Sequence, residues 1–353
     1  MCIYLGDSSE LTYKKQEHIF PAGLGGKQKL PNGMVSDKAN EIFSPLELIL
    51  MRQSPLSIDR MMIGPGKRGS LSPQKASKSR VTVDVQDDGA VILCYVSSGR
   101  PYNIPQCYLY GDKVTVSLPD KKSDTFDDFM DYKTILGKFN GNYIYLKTDK
   151  LNNEELIIGY FDNKYYVAAN RNQIASEEIE EVVVKIIENF KIENINKGSH
   201  LVKHHFEIVE NEEIARVYAK VAMNTLAFLK GEDYVRNKNF DDIREWIVSG
   251  ESKKEHCFLP SIFTDENKNI SVWFPEDSHW CLFLKNGEEI EAMVCFYNHY
   301  VRRFSMGKPL NENDFRIADG FICDWRNQKE YKMKNYIEAI AKQCHDLIIQ
   351  NNE

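Results

Sequence analysis

The sequence predicts an α+β protein in which a small N-terminal module precedes a larger mixed domain. Valines alternate with polar residues over 81–85, and further short apolar runs recur up to residue 170, a pattern typical of strands. By contrast, residues 211–230 carry apolar side chains at helical spacing and end before Gly231, which predicts a long core helix. A chain of 353 residues is long enough for two domains.

The composition indicates a globular cytoplasmic protein. Apolar residues make up 42% of the chain, but no apolar run approaches the eighteen residues that a membrane span needs. The N-terminus lacks the basic and apolar regions of a secretory signal. The eight cysteines are scattered, as expected for buried thiols in a reducing compartment. We therefore expect a cytoplasmic location and no membrane partner.

The charge is distributed unevenly along the chain. The net charge is −7, yet residues 1–80 contain twelve Lys and Arg against seven Asp and Glu, and so carry +5. The remaining residues carry −12. A basic module on an acidic body favours a defined phosphate-binding face.

The N-terminal module is predicted from residue 1 to residue 65. Residues 11–20 are expected to form the first strand of a hairpin that ends near His18, and the glycines that follow permit a broad loop. From Asp37 onward apolar residues recur at helical spacing, but Pro45 predicts two short helices or a kink.

The remaining chain is predicted as a basic linker over 66–80 and an α+β companion domain over 81–353. This domain is expected to be β-rich over 81–170 and helix-rich over 175–353. Its predicted helices and strands follow periodicity and turn residues. The strands are expected at 107–118, 142–147, 155–161, 164–168, 270–274, 280–285 and 290–297, and the helices at 176–190, 211–230, 241–249 and 330–349.

Four side chains in the module have the layout of a metal-dependent nuclease site. His18 is the candidate general base, because imidazole can accept a proton from water near neutral pH. Glu17 and Glu47 are candidate ligands for one Mg²⁺ or Mn²⁺ ion, which prefers oxygen donors. Asn40 is the candidate that orients the imidazole through a hydrogen bond.

Each of these residues also has an ordinary structural interpretation. Glu47 completes a capping box that would begin at Ser44, with proline at the first helical position. Asn40 could be a residue near a helix N-terminus, and an isolated Glu-His pair is usually surface. The downstream pattern favours the catalytic interpretation for His18.

The segment from residue 2 to about residue 69 resembles an HNH endonuclease of the ββα-metal type. The resemblance rests on Glu-His-Ile-Phe-Pro-x-x-Leu-Gly-Gly from Glu17, followed by Asn-x-x-Phe-Ser-x-x-Glu from Asn40. It implies that Glu17 and Glu47 bind metal, His18 is the general base and Asn40 orients it. Residues beyond 80 also resemble the companion domain that often follows this branch, to which no chemistry is assigned.

The chain departs from this family at a structural zinc site. Many relatives carry two Cys-x-x-Cys knuckles, and the matching positions here are Cys2, Leu5, Ser36 and Ala39. Three of the four thiols are absent, so a Cys₄ zinc site cannot form. We therefore expect no structural zinc and a module held together by apolar packing.

Basic residues of the module are predicted to contact nucleic acid. Residues 66–80 hold five basic residues and no acidic one, which suggests either a flexible arm that grips phosphates or a solvated linker. The candidate nucleic-acid-binding residues are Lys27, Lys29, Arg52, Arg60, Lys67, Arg68, Lys75, Lys78 and Arg80.

The leading hypothesis is a metal-dependent endonuclease that hydrolyses DNA, and the resemblance extends it to bacterial phage defence. One alternative is a catalytically weakened HNH fold that binds nucleic acid or a partner protein. Another is a broad nuclease, because phosphate contacts do not separate DNA from RNA. A homodimer is an attractive way to cut both strands.

Overall fold

A computed structural model describes residues 1–86, 89–111, 113–118, 125–172, 174–188, 195–196, 211–251, 257–258 and 273–350. Helices and sheets are both present, which confirms a mixed α+β class. The chain divides into two compact units. The first unit combines Met1–Ser77 with Glu207–Glu353, and the second unit is Lys78–Phe206. No helix in the described ranges combines the length and the apolarity that a bilayer crossing requires.

The first unit begins with a short hairpin and two helices. An isolated antiparallel bridge joins His18 to Lys29. The strand expected over residues 11–20 does not form beyond this bridge, because the amides of Lys14 and Lys15 donate to the Asp37 carboxylate and not to a neighbouring strand. Helix α1 spans Asp37–Gln53 and helix α2 spans Leu56–Met62. The side chain of Ser36 caps α1 by accepting a hydrogen bond from the Ala39 amide.

Helix α1 differs from the expected pair of short helices. It continues through Pro45, whose side chain is exposed, and its cap is Ser36 rather than Ser44. Proline removes only the bond to the carbonyl four residues earlier, and water can solvate that carbonyl on an exposed face. Glu47 therefore lies within α1, and the capping-box interpretation of this residue is wrong.

Residues 66–77 pack against the module in short turns. A Cβ built on Gly66 would lie 2.1 Å from the Lys75 carbonyl oxygen, and one on Gly69 would lie 2.7 Å from the Ala22 carbonyl oxygen. Arg60 donates to the Gly66 carbonyl at 3.4 Å. These close backbone contacts differ from the flexible arm or linker expected over 66–80.

In its described residues the second unit holds two sheets and two helices. Strands β1–β3 form an antiparallel sheet, whereas β4–β9 form a mixed sheet in the order β6-β8-β7-β4-β5-β9. Apolar residues of α3 and α4 share one core with strands of the larger sheet. The bounds are β1 Thr82–Val85, β2 Val91–Ser97, β3 Arg100–Asn103, β4 Gln106–Tyr110, β5 Lys113–Ser117, α3 Thr125–Leu136, β6 Tyr143–Lys147, β7 Glu155–Phe161, β8 Lys164–Ala169, α4 Ser176–Glu188 and β9 Ile195–Asn196.

The first unit resumes with helices and a six-stranded antiparallel sheet. The strand order is β10-β13-β12-β11-β14-β15. Successive residues of a strand point to opposite faces, so one face packs against α5 and the other against α8. The bounds are α5 Glu212–Lys230, α6 Glu232–Val235, α7 Asp241–Ser249, β10 Cys257–Phe258, β11 His279–Asn286, β12 Glu289–Phe296, β13 Tyr300–Gly307, β14 Asp319–Asp324, β15 Lys329–Lys332 and α8 Met333–Gln350.

Of the sequence predictions for residues 175–353, one is confirmed and another is incomplete. The long helix expected at 211–230 is confirmed as α5, capped by Asn211 and ended by Gly231 with φ +92°. The prediction that residues 175–353 are helix-rich is incomplete, because this range also contains the strands β10–β15. The strand expected at 270–274 lies mostly outside the described residues.

A single apolar core joins the two chain segments of the first unit. It contains Phe20, Phe43 and Leu50 from the N-terminal segment together with residues of α5 and the six-stranded sheet, among them Tyr218 and Phe296. The observed unit therefore differs from the predicted boundaries of 1–65 and 81–353. The reason is that α1 buries its apolar face against α5 rather than within a separate module.

Candidate active site

The hairpin over residues 17–30 presents Glu17 and His18 at the surface of the first unit. The Leu30 amide donates to the Glu17 carbonyl at 2.8 Å, and the Ile19 amide donates to the Gln28 carbonyl at 2.9 Å. Ile19 and Phe20 are fully buried below them. Glu17 and His18 are half-buried, whereas the next two residues belong to the core of the first unit.

Steric contacts explain why the motif has glycine at positions 25 and 26. Gly25 adopts φ +94°, and a Cβ there would lie 2.5 Å from Cβ of Trp325. A Cβ on Gly26 would lie 2.1 Å from the Phe20 carbonyl oxygen. Glycine is therefore required where the loop turns back beneath the hairpin.

His279 fixes this loop to the sheet. Its Nδ1 accepts a hydrogen bond from the Tyr297 amide at 3.0 Å, so Nε2 carries the proton and donates to the Leu24 carbonyl at 3.0 Å. Burial lowers the pKa of His279 to about 3. The ring is therefore a neutral structural group at physiological pH.

Glu17 and Glu47 converge on one cation, which is the ammonium group of Lys220. Nζ of Lys220 forms ion pairs with Oε1 of both glutamates. The Lys220 side chain is 1% exposed, against 12% for Glu17 and 20% for Glu47. Burial alone would lower the pKa of Lys220, but the two carboxylates outweigh it and raise the pKa above its usual value. The ammonium therefore stays charged.

His18 lies beside this ion-paired cluster. Its ring is half-buried, and burial lowers its pKa. The positive charges of Lys29 and Lys220 lower it further, whereas Glu47 acts in the opposite direction. The imidazole is thus neutral near pH 7, which is the state in which it can accept a proton.

Asn40 lies on α1 two turns before Glu47, on the same face of the helix. Its side-chain oxygen Oδ1 is buried and has no hydrogen-bond partner within the described part of the chain. A buried acceptor without a donor is uncommon and calls for an explanation. Asn40 thus has a free acceptor for a group that moves into reach or binds from outside.

Helix α5 contributes polar residues that the sequence patterns did not identify. Asn224 lies one turn after Lys220, so both side chains project from the same face. Its Nδ2 donates to the His18 carbonyl at 2.9 Å, and its Oδ1 accepts from the Tyr4 hydroxyl at 2.6 Å. The available signal was a lysine and an asparagine spaced by four within the mostly apolar stretch 217–227 of this helix.

The four positions that match the zinc knuckles lie together. The Cys2 sulfur accepts hydrogen bonds from the Leu5 amide at 3.4 Å, and from the Ser36 amide and hydroxyl at 3.4 and 3.3 Å. The Ser36 hydroxyl in turn accepts a hydrogen bond from the Ala39 amide. Hydrogen bonds around one thiol therefore join the segments at these four positions.

The predicted nucleic-acid-binding residues differ in their surroundings. Arg60 is half-buried, and its Nε donates to the Gly23 carbonyl at 3.1 Å, so it also braces the module. Lys27 donates to the Gln328 side chain at 2.7 Å. Lys78 and Arg80 belong to the second unit, where Nζ of Lys78 lies 4.7 Å from the ring centre of Phe161. Among the predicted residues of the first unit, the exposed ones are Lys27, Lys29, Arg52, Lys67, Arg68 and Lys75.

Glu17 and Glu47 are of the donor type that a divalent cation prefers, although the Lys220 ammonium is ion-paired to both carboxylates in the structure. Mg²⁺ is usually held by one or two carboxylates, with water and phosphate oxygens completing its shell. Glu17 and Glu47 supply two such carboxylates at one point. Across the described ranges no group of three or more His, Cys, Asp or Glu side chains could hold a metal. A cation would therefore depend on this pair and on non-protein oxygens.

Comparisons of the chain with protein-family models, with curated proteins and with solved structures gave no match.

Proposed function

We propose that the first unit is a metal-dependent endonuclease of the HNH type that hydrolyses phosphodiester bonds of DNA. The observation that carries this proposal is that Glu17 and Glu47, thirty residues apart in the chain, bring their carboxylates together at the Lys220 ammonium, beside a neutral His18. A hairpin followed by a helix supplies these residues, as the resemblance implies. A role in phage defence extends the same resemblance.

Each side chain has a role that follows from its chemistry. His18 would accept the proton of the attacking water. The Oδ1 of Asn40, which has no partner within the described residues, would accept the imidazole N–H once the two side chains come within reach. Glu17 and Glu47 would hold Mg²⁺ or Mn²⁺, and the ion would supply Lewis-acid stabilisation of the phosphate and of the departing oxygen. Asn224 and Tyr4 fix the backbone at His18. Exposed Lys and Arg of the first unit attract the phosphates.

The test is nicking of supercoiled plasmid in Mg²⁺ or Mn²⁺ by the full chain and by His18→Ala. Loss of the general base is expected to slow cutting by about 10²–10⁴-fold, with an unchanged thermal midpoint. His299 is exposed and lies outside the site, so His299→Ala is the matched control. Cutting by His18→Ala at the wild-type rate would contradict the proposal.

A second candidate function is nucleic-acid binding without cleavage. The Lys220 ammonium between the two proposed ligands favours it, because a resident cation could replace the metal permanently. This function predicts salt-dependent DNA binding and no cutting in any divalent metal. Plasmid, duplex RNA and single strands compared in one metal titration separate the two functions and also separate DNA from RNA as substrate.

A further inference from the structure

Lys220 lies at the point where a cation bound by both glutamates would lie. Its Nζ is ion-paired to one oxygen of Glu17 and one oxygen of Glu47, and within the described residues it has no other hydrogen-bond partner. The ring centre of Phe43 lies 5.5 Å from Nζ. The ammonium thus uses the same oxygens that the proposed function assigns to the metal.

The charge of the cluster does not accommodate both cations. Two carboxylates carry a charge of −2, which one divalent ion balances by itself. If Lys220 kept its place, a bound divalent ion would face a positive ammonium a few ångströms away in a poorly solvated site, where like charges repel strongly. Occupation by one cation therefore disfavours the other.

The Lys220 side chain has no solvated position within easy reach. It is 1% exposed, and the residues of α5 from Val217 to Ala227 are buried between α1 and the sheet. The helix is also held at the site by the hydrogen bond from Asn224 to His18. An ammonium that left the carboxylates would be an unpaired buried charge, which is strongly unfavourable.

We infer that Lys220 and a divalent cation compete for the Glu17–Glu47 carboxylate pair, so that Lys220 sets the metal affinity of the site. The inference rests on the proposed function for the assignment of the two glutamates as ligands. Its readout is metal binding and does not require that DNA be cut. Wild-type protein binds the metal weakly, because the metal must displace a buried ion-paired lysine.

The experiment is a Mn²⁺ titration of the full chain, with free Mn²⁺ measured by its electron paramagnetic resonance signal. Lys220→Met keeps the apolar stem and removes the charge, and it is expected to bind Mn²⁺ at least tenfold more tightly than wild type. Adding Glu17→Gln to Lys220→Met should remove this gain. If Lys220→Met does not fold, Lys220→Gln carries the same expectation, because its amide is also uncharged.

Lys230→Met is the matched control. Lys230 lies on the same helix and is also ion-paired, to Asp314 at 2.8 Å, but away from the proposed site. The Mn²⁺ affinity of Lys230→Met should equal that of wild type. Equal or weaker Mn²⁺ binding by the Lys220 variants overturns the inference, even if plasmid cutting still requires His18. Tighter Mn²⁺ binding without any cutting supports the inference and contradicts the nuclease proposal.

Discussion

At the scale of single residues, the first unit depends on a few buried polar groups with complete partners. Lys220 is neutralised by two carboxylates, and His279 has both ring nitrogens in hydrogen bonds. Buried polar groups with such partners define one arrangement of the surrounding chain, because any other arrangement leaves them unsatisfied. Asn40 is an exception, because its buried side-chain oxygen lacks a donor in the described residues.

His279 makes stability depend on pH. Its pKa is about 3 in the folded protein, against about 6.5 for an unfolded histidine, so the unfolded chain binds the proton more readily. The stabilisation is complete above pH 6.5 and is lost as the pH falls toward 3. By pH 5 the loss relative to neutral pH should be about 2 kcal/mol.

Urea unfolding of wild type and His279→Gln at pH 7 and pH 5 measures this effect. The variant lacks the titrating group, so its disadvantage relative to wild type should shrink by about 2 kcal/mol on acidification. The same difference at both pH values would show that His279 does not titrate as described. Comparing the two proteins cancels the carboxyl groups that titrate in both.

At the scale of elements, α1 and α5 form the frame of the candidate site. Helix α1 carries Asn40 and Glu47 on one face, and α5 carries Lys220 and Asn224 on the face that meets it. The hairpin supplies Glu17 and His18 between them. Each element contributes a functional side chain only because its apolar residues fix its rotation against the shared core.

Pro45 weakens α1 at an exposed position. It lies inside a continuous helix, where it removes one backbone hydrogen bond and crowds the preceding turn. Pro45→Ala should therefore raise the free energy of unfolding by about 2 kcal/mol. Ser44→Ala is the control, since the neighbouring residue is equally exposed and should gain only about 0.5 kcal/mol. Chemical denaturation measures both, and destabilisation by Pro45→Ala would contradict a continuous helix.

At the scale of the whole molecule, the site belongs to a unit made from two distant chain segments. Side chains of the later segment bond directly to the earlier one. The Tyr297 hydroxyl donates to the Gly64 carbonyl at 2.7 Å, and Glu330 accepts from the amides of Lys27 and Gln28. Residues 1–77 alone would expose the apolar surface that these partners cover.

A fragment of residues 1–77 is therefore expected not to fold by itself. Its far-ultraviolet circular dichroism should show no cooperative thermal transition, whereas the full chain should show one. The physical reason is that its core residues pack against α5 and the sheet rather than only against each other. A cooperative transition of the fragment would contradict this expectation and support the independent module predicted from the sequence.

The sequence by itself determined the mixed α+β class, the core helix α5 and the surface exposure of most predicted basic residues. These features follow from periodicity, helix caps and charge, which depend on residues that are close together in the sequence. The motif also predicted Glu17 and Glu47 as ligands of one metal ion. The structure brings the two carboxylates together at the Lys220 ammonium, and metal binding stays a prediction.

Only the tertiary structure decided which cation lies between these glutamates, and which chain segments share a core. Lys220 is about two hundred residues from Glu17, and no local pattern links a buried lysine on one helix to a carboxylate on a distant hairpin. The continuous α1 through Pro45 likewise depends on packing against α5 and on water at its exposed face. Long-range packing and charge neutralisation fixed these features, since both act between groups that are distant in the chain.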